Sequence, residues 1–177
     1  METMLEVVTE TVALERLRQT GELAHVRLAS LDLEQVMGAS LEMNIRITDC
    51  VIDVLSALDV SFLSLLSVTR CQLTTLNFHM AYLLGGAVFR DCLVTGTASF
   101  EMGGHNEPGC PFHLQGCTFG GFVSFWDCWF PSDVIIEDCD FQSGSNLLGN
   151  EGEPYRVQFD GPLVLRNVRG ELHLPGG

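Results

Sequence analysis

Residues 117–141 read CTFGGFVSFWDCWFPSDVIIEDCDF, and this stretch contains one small unit five times. Each unit is a pair of apolar residues that flank a single spacer residue. The pairs begin 6, 5, 6 and 5 residues apart, so the pattern returns to its start after 22 residues. Alternate residues of a β-strand share a face, whereas an α-helix cannot keep such pairs on one side. The pairs are Cys117 with Phe119, Val123 with Phe125, Cys128 with Phe130, Val134 with Ile136, and Cys139 with Phe141.

The same spacing extends through most of the chain. Four short strands, each with two residues facing inward and one outward, make one square coil of a β-ladder. Self-similarity at about 20 residues is typical of a solenoid, and the sequence predicts about six coils. Further pairs are Val26 with Leu28, Leu31 with Leu33, Leu41 with Met43, Ile45 with Ile47, Cys50 with Ile52, Leu55 with Ala57, Val60 with Phe62, Leu66 with Val68, Cys71 with Leu73, Leu76 with Phe78, Tyr82 with Leu84, Ala87 with Phe89, Cys92 with Val94, Ala98 with Phe100, Phe112 with Leu114, Val157 with Phe159, Leu163 with Leu165, and Leu172 with Leu174.

Two segments interrupt this rhythm, and one segment precedes it. Residues 101–111 and 142–156 are rich in Gly, Pro and polar residues, as expected of excursions from a regular scaffold. Residues 1–22 predict an N-terminal cap, for which a short helix from about Thr11 to Gln19, stopped near Gly21, and a first strand over MLEVV are alternatives. The sequence predicts a solenoid with these two excursions over residues 23–177.

The composition favours one acidic globular domain. The chain has 177 residues, 46% hydrophobic residues and a net charge of −14. This charge disfavours direct binding of nucleic acid, which needs a cationic surface. The sequence predicts neither a membrane span nor a secretion leader, so we expect a cytoplasmic protein without a membrane contact.

Seven cysteines raise the question of disulfides or a metal. Five of them, spaced 21 or 22 residues apart where the rhythm is regular, fall at the same place in successive coils. Stacked coils lie about 4.8 Å apart, which predicts a column of buried free thiols. His105, Cys110 and His113 could supply metal ligands, but their spacing matches no strong zinc pattern, so no metal or cofactor is predicted.

The segment 117–141 resembles the pentapeptide-repeat proteins, with a central Phe or Leu two places after a small residue. The resemblance covers roughly residues 41–141 and implies a right-handed quadrilateral β-helix (β-solenoid) of the all-β class. Spacings that alternate between five and six depart from the family pattern, as does the scarcity of outward Asp or Asn. Leucine-rich repeats are the alternative, but the half-period pair Cys128 and Phe130 argues against them.

The resemblance also implies a protein that is not an enzyme. We expect a scaffold or protein-binding module, with an inhibitory, protective or immunity-type role, that contacts a partner or its own copy. The contact would use an apolar outward patch, since aromatic anchors concentrate in interfaces. The alternative is that the two excursions fold over this patch. The patch residues are Trp129, Trp126, Phe122, Ile135, Leu83, Val88 and His113.

Two other functions are alternatives. Members of the resembled family include acidic DNA mimics that act on type II topoisomerases, and an acidic edge of Asp49, Asp91, Glu137 and Asp138 could serve this role. Parallel β-helices also host polysaccharide-cleaving sites built from Asp and Glu clusters. The carboxylates between Asp127 and Asp140 crowd the chain, but the repeat predicts that they face different sides.

Overall fold

Short parallel strands make up most of the computed structural model of the chain, which describes residues 4–176. Two helices lie near the N-terminus, α1 (Glu10–Thr20) and α2 (Glu34–Met37). In chain order the strands are β1 (Glu6–Val7), β2 (Glu22–Ala24), β3 (Val26–Asp32), β4 (Ser40–Leu41), β5 (Ile45–Thr48), β6 (Val51–Ser56), β7 (Ser61–Phe62), β8 (Leu66–Thr69), β9 (Gln72–Asn77), β10 (Ala87–Arg90), β11 (Leu93–Val94), β12 (Ala98–Ser99), β13 (Phe112–Gln115), β14 (Thr118–Phe119), β15 (Val123–Ser124), β16 (Trp129–Phe130), β17 (Val134–Glu137), β18 (Asp140–Phe141), β19 (Gln158–Phe159), β20 (Leu163–Arg166) and β21 (Arg169–Gly170).

The strands join into two large parallel sheets and a narrower third ladder. A ten-stranded sheet contains β1, β3, β6, β9, β11, β14, β18 and β21 in that order, with β12 and β15 attached. A seven-stranded sheet runs β2-β5-β8-β10-β13-β17-β20. The third ladder begins with β4 and β7 and ends with β16 and β19. Single parallel bridges connect these two pairs, from Ser61 to Tyr82, from Tyr82 to Gly104, and from Gly104 to Trp129.

The chain passes through these sheets in a fixed order, and each stretch between two visits to the seven-stranded sheet is called a rung below. Ile45 pairs with Leu66, and Leu66 with Ala87, each 21 residues further along the chain. β6 bends in the middle, because Asp53 and Val54 are both exposed between buried neighbours. The ten-stranded sheet therefore covers two sides of the core, and the β-rich parallel fold predicted from the sequence is confirmed.

Aromatic rings fill the centre of the molecule. Nine phenylalanine side chains are fully buried, each contributed by an inward position of the apolar pairs. Phe100 contacts four other rings, with centroids 5.1 Å away for Phe125, 5.2 Å for Phe112, 5.6 Å for Phe89 and 6.0 Å for Phe78. Burying one such side chain stabilises the fold by roughly 1.5–3 kcal/mol, so this stack is a main source of stability.

The N-terminal segment contains both the helix and the strand that the sequence offered as alternatives. The Thr9 side chain accepts a hydrogen bond from the Val12 backbone N–H, and α1 ends at Gly21, whose φ of 72° lies in the left-handed region. The helix buries Ala13, Leu14 and Leu17. β1 pairs with β3 and so forms the first strand of the ten-stranded sheet.

The column of cysteines is also confirmed. Cys50, Cys71, Cys92, Cys117 and Cys139 are buried, and each occupies the same position in its rung. Their thiols donate to backbone carbonyls, as Cys92 Sγ does to Val68 O at 3.4 Å. Hydrogen bonds with the neighbouring thiols and then burial raise the pKa of Cys71 and Cys117.

Three sequence interpretations are corrected. The inward pair near residue 82 is Ala81 with Leu83, not Tyr82 with Leu84. The first excursion begins later than residue 101, because Gly104 bridges two strands of the third ladder. The second begins later than residue 142, because Ser145 bridges Val123 of β15. Gly and Ser carry no apolar signal, so the pattern could not detect these strand positions.

Candidate functional site

The third ladder presents one outward residue from each rung. In order these residues are Ser40, Ser61, Tyr82, Gly104, Trp129 and Gln158. The prediction that Leu83 belongs to the outward patch is wrong, because its side chain is only 1% exposed. Successive strand residues point to opposite faces, so a register shift of one residue exchanges Leu83 for Tyr82 on the surface. Sequence reasoning missed Tyr82 for this reason.

Three rings lie together on the third ladder, and we call them the aromatic face: Tyr82, His105 and Trp129. The ring centroids of Tyr82 and His105 are 4.3 Å apart. The His105 ring meets Trp129 edge to face, with centroids 5.0 Å apart and planes at 86°. Edge-to-face pairs are a favoured geometry of aromatic rings. Trp129 remains 38% exposed, so the aromatic face is open to a partner.

Two backbone conformations place His105 in this row. Gly104 and His105 have φ values of 95° and 59°, both in the left-handed region. His105 follows Gly104, so a regular strand would turn its side chain inward, as it does for Leu83 and Phe130 in the neighbouring rungs. The positive φ turns the imidazole outward instead. It takes the space above Gly104, which has no side chain of its own.

The aromatic face is held in place by polar contacts and burial. Trp129 donates a hydrogen bond from Nε1 to Asp160 Oδ2 at 2.7 Å. Asp160 lies two residues beyond Gln158 on the next rung, so two rungs fix the orientation of one indole. Burial lowers the pKa of His105 below its ordinary value, which favours the neutral imidazole. Asp160 gave no signal in the sequence, because its contact joins residues 31 positions apart.

Trp126 and Phe122 do not join this face. Trp126 is half-buried under Tyr155, with ring centroids 4.6 Å apart, so part of the second excursion does cover it. Tyr155 belongs to residues 142–156, which the sequence identified only as an interruption of the repeat. Phe122 is half-buried next to β15, on the ten-stranded sheet. The predicted patch is therefore divided between different sides of the molecule.

Val88, His113 and Ile135 form a separate row on the seven-stranded sheet. They are in register on β10, β13 and β17, and all three are half-buried. His113 Nε2 lies 3.5 Å from Glu137 Oε2, and both side chains are 18% exposed. Glu137 also accepts a hydrogen bond from Arg166 at 2.5 Å. This row is apolar but small, and the charged groups next to it are paired with each other.

Two of the four residues of the predicted acidic edge are neutralised within the molecule, and a third accepts a hydrogen bond from a neutral amide. Asp49 forms two hydrogen bonds with Arg70, at 2.7 and 2.8 Å, which lower the pKa of its carboxyl. Asp138 accepts from Asn167 at 2.6 Å, and Glu137 is paired as described. Asp49, Asp91 and Asp138 have φ values of 52–54°, a region that Asp and Asn tolerate better than most residues. The left-handed backbone conformation at these corners therefore explains why Asp occurs at these three positions.

The residues weighed as metal ligands and the carboxylates weighed as an enzyme site are dispersed. His105 belongs to the aromatic face, and His113 lies on the seven-stranded sheet. Within residues 4–176, no group of three or more His, Cys, Asp or Glu side chains is placed to hold a metal ion. Asp127 lies at a corner of the third ladder, whereas Asp140 lies on β18 of the ten-stranded sheet. These carboxylates do not converge on one site.

Comparisons with protein-family models, curated proteins and solved structures found no match for this chain. Among the described residues, no helix combines the length and the apolar character needed to cross a membrane. The aromatic face is therefore the candidate site on structural grounds alone.

Proposed function

We propose that the protein is a non-enzymatic binding module that contacts another protein through its aromatic face. In this proposal the parallel ladders close into a right-handed, four-sided β-solenoid that acts as a rigid scaffold, capped by α1. Trp129 is the anchor, and its exposed indole is the observation that carries the proposal. Trp and Tyr are enriched among the residues that contribute most to binding.

Preorganisation of the anchor supports this proposal. The hydrogen bond to Asp160 and the edge contact with His105 fix the indole before any partner arrives. A fixed side chain loses little conformational entropy on binding, so more of its buried area contributes to affinity. The strands below it belong to consecutive rungs, which gives the face a rigid base.

We further propose that the protein acts in the cytoplasm. All seven cysteines are free thiols, and six of them are buried. Free thiols are typical of proteins in reducing compartments, whereas proteins of oxidising compartments tend to form disulfides. Burial raises the pKa of Cys128 to about 12, so this thiol stays protonated and donates to Phe100 O at 2.9 Å.

The test is affinity capture of a partner from the native host with matched variants. Trp129→Ser removes the anchor, and Leu93→Ser is the control, because Leu93 is also 38% exposed but lies on the ten-stranded sheet. We expect the wild type and Leu93→Ser to capture the same protein, and Trp129→Ser to lose it. Truncation of an anchor costs about 2 kcal/mol or more, which is roughly 30-fold in Kd.

Folding of each variant is checked by circular dichroism and thermal unfolding. Equal capture by all three proteins would contradict the proposal. Association of the wild type with its own copy, seen as a concentration-dependent mass that Trp129→Ser abolishes, would assign the same face to a homo-oligomer. A captured protein that is turned over chemically would show that the module is an enzyme.

A further inference from the structure

Carboxylates surround the aromatic face on both sides. On one side, Asp59 and Asp127 lie at the corner where each rung enters the third ladder, and both have positive φ values. On the other side, Glu107 follows His105 by two residues, and Asp133 lies on the corner between β16 and β17. An extended chain advances about 3.3 Å per residue, so Glu107 lies within about 7 Å of His105 along the backbone.

None of these carboxylates is neutralised by an ion pair. Within residues 4–176, none of Asp59, Glu107, Asp127, Asp133 and Asp160 forms a salt bridge. Asp160 uses one oxygen for the Trp129 indole. Two residues of the predicted acidic edge, Asp49 and Glu137, are instead paired with arginines. The carboxylates next to the aromatic face therefore keep negative charge that no ion pair neutralises.

Eight of the nine arginines lie away from the third ladder. All nine basic residues of the chain are arginines. Six of them are on strands of the two large sheets or at the corner between them: Arg27, Arg46, Arg70, Arg90, Arg166 and Arg169. Arg16 and Arg18 belong to α1. Arg156 alone lies beside the third ladder, at its last rung, next to Tyr155. The ladder thus combines exposed rings with unpaired carboxylates.

We propose that the partner segment that docks on the aromatic face is cationic, with arginine or lysine side chains seated over Trp129 and Tyr82. This inference rests on the proposed function and specifies the chemistry of the partner. An aromatic ring attracts a cation over its face, and the surrounding carboxylates add hydrogen-bonded ion pairs. Complementary charge also speeds encounter and excludes acidic segments.

The probe is a fluorescein-labelled peptide of four Gly-Arg repeats, measured by fluorescence anisotropy against the full-length protein at about 0.15 M salt. Two peptides of equal length serve as comparisons, one with glutamate and one with citrulline in place of arginine. Citrulline keeps the shape of arginine without its charge. We expect the arginine peptide to bind at least tenfold more tightly than either comparison.

The protein variants distinguish the effect of charges beside the aromatic face from the effect of the net charge of the protein. The double variant Glu107→Gln with Asp133→Asn removes two charges beside the aromatic face. The control, Asp53→Asn with Asp91→Asn, removes two exposed and unpaired charges next to the ten-stranded sheet. We expect at least a tenfold loss of peptide affinity for the first pair and for Trp129→Ser, and less than a twofold loss for the control pair.

Equal losses for the two double variants would overturn the inference, since they would show attraction to the net charge alone. Equal binding of the citrulline peptide would overturn it as well, and this comparison needs no protein variant. The outcome is separable from that of the proposed function. If Trp129→Ser loses the captured partner while the arginine peptide does not bind, the binding role stands and the cationic partner does not.

Discussion

Trp129 and Asp160 are joined by a hydrogen bond of 2.7 Å from the indole Nε1 to Oδ2, although 31 residues separate them along the chain. The bond connects neighbouring rungs on the outer side of the third ladder, where β16 pairs with β19. Because an exposed indole without this acceptor could rotate, the contact converts a surface tryptophan into a fixed anchor. Its removal should therefore change the order of the ring before it changes the fold.

Asp160→Ala should release the indole, whereas Asp160→Asn keeps an acceptor oxygen at the same place. We expect the alanine variant to shift the Trp129 indole N–H resonance upfield and to weaken partner binding by about 1 kcal/mol, the usual net value of one hydrogen bond. The asparagine variant should retain most of the wild-type resonance position and most of the binding affinity. The measurement is a ¹⁵N correlation spectrum, in which Trp126 supplies the only other indole signal and an internal reference. An unmoved resonance in Asp160→Ala would refute the contact.

His105 should make stability depend on pH. Burial lowers its folded-state pKa, while the unfolded chain has an ordinary value of about 6.5. Below that value the unfolded state binds a proton more readily than the folded state. The contribution of neutral His105 to the free energy of unfolding is therefore complete above about pH 6.5. It is lost as the pH falls toward the lowered pKa of the folded state.

The measurement is the free energy of unfolding of wild type and His105→Gln at pH 8 and pH 5.5. Their difference should shrink at pH 5.5, because glutamine does not titrate. The pH dependence that comes from acidic groups and from the other histidines is the same in both proteins, so it cancels in this difference. A constant difference between the two pH values would contradict the assignment.

The sequence predicted the core better than the surface, because inward positions can be recognised where apolar residues alternate with polar ones. Cys71, Phe78 and Phe100 each lie between two polar neighbours, so the sequence alone indicates that their side chains point inward. Near Tyr82 the run AYLL is apolar in both registers, and only packing decides between them. Ser145 and Asn146 are fully buried but polar, and Asn146 accepts a hydrogen bond from Phe125 N at 2.7 Å.

The site could be predicted only in part for the same reason. Trp129 stood out as an outward aromatic residue in a regular rung. The roles of His105 and Asp160 depend on a left-handed backbone and on contacts between rungs, and neither leaves a mark in local spacing. The meeting of Trp126 with Tyr155 likewise joins distant segments.

Phe100→Ala should be among the most destabilising single changes. Its ring is buried against four other phenylalanines, and removal leaves a cavity that rigid neighbouring rungs cannot fill. We expect a loss of about 3–5 kcal/mol in the free energy of unfolding. Leu63→Ala is the control, because Leu63 is 46% exposed and should cost little. Chemical denaturation measures both, and similar costs would contradict the predicted difference.

Thiol accessibility should divide the cysteines into one reactive and six protected groups. Cys110 is the half-exposed member, whereas the other six are buried. With an aromatic disulfide reagent at pH 8, we expect one rapid equivalent from the native protein and seven after denaturation. Cys110→Ser should remove the rapid phase and leave the unfolding free energy nearly unchanged. A rapid phase that survives this substitution would show that the column is accessible.

Gly104→Ala tests whether the backbone, rather than the rings, builds the aromatic face. A Cβ at this position would lie 2.4 Å from the Trp129 backbone oxygen and 3.1 Å from the Phe130 ring, and φ is also positive. Gly109→Ala is the matched control, because its φ is +83° but a Cβ would meet nothing within 4 Å. The control should cost about 1 kcal/mol for the unfavourable φ alone.

Gly104→Ala should cost more than this, because the third ladder must separate or His105 must leave its place above the glycine. We expect an additional loss of about 1–3 kcal/mol and a change in the near-ultraviolet circular dichroism of the tryptophans. Gly109→Ala should leave that spectrum unchanged. Equal unfolding free energies for the two variants would mean that the ladder has room at Gly104, and that the position of His105 does not depend on a missing side chain.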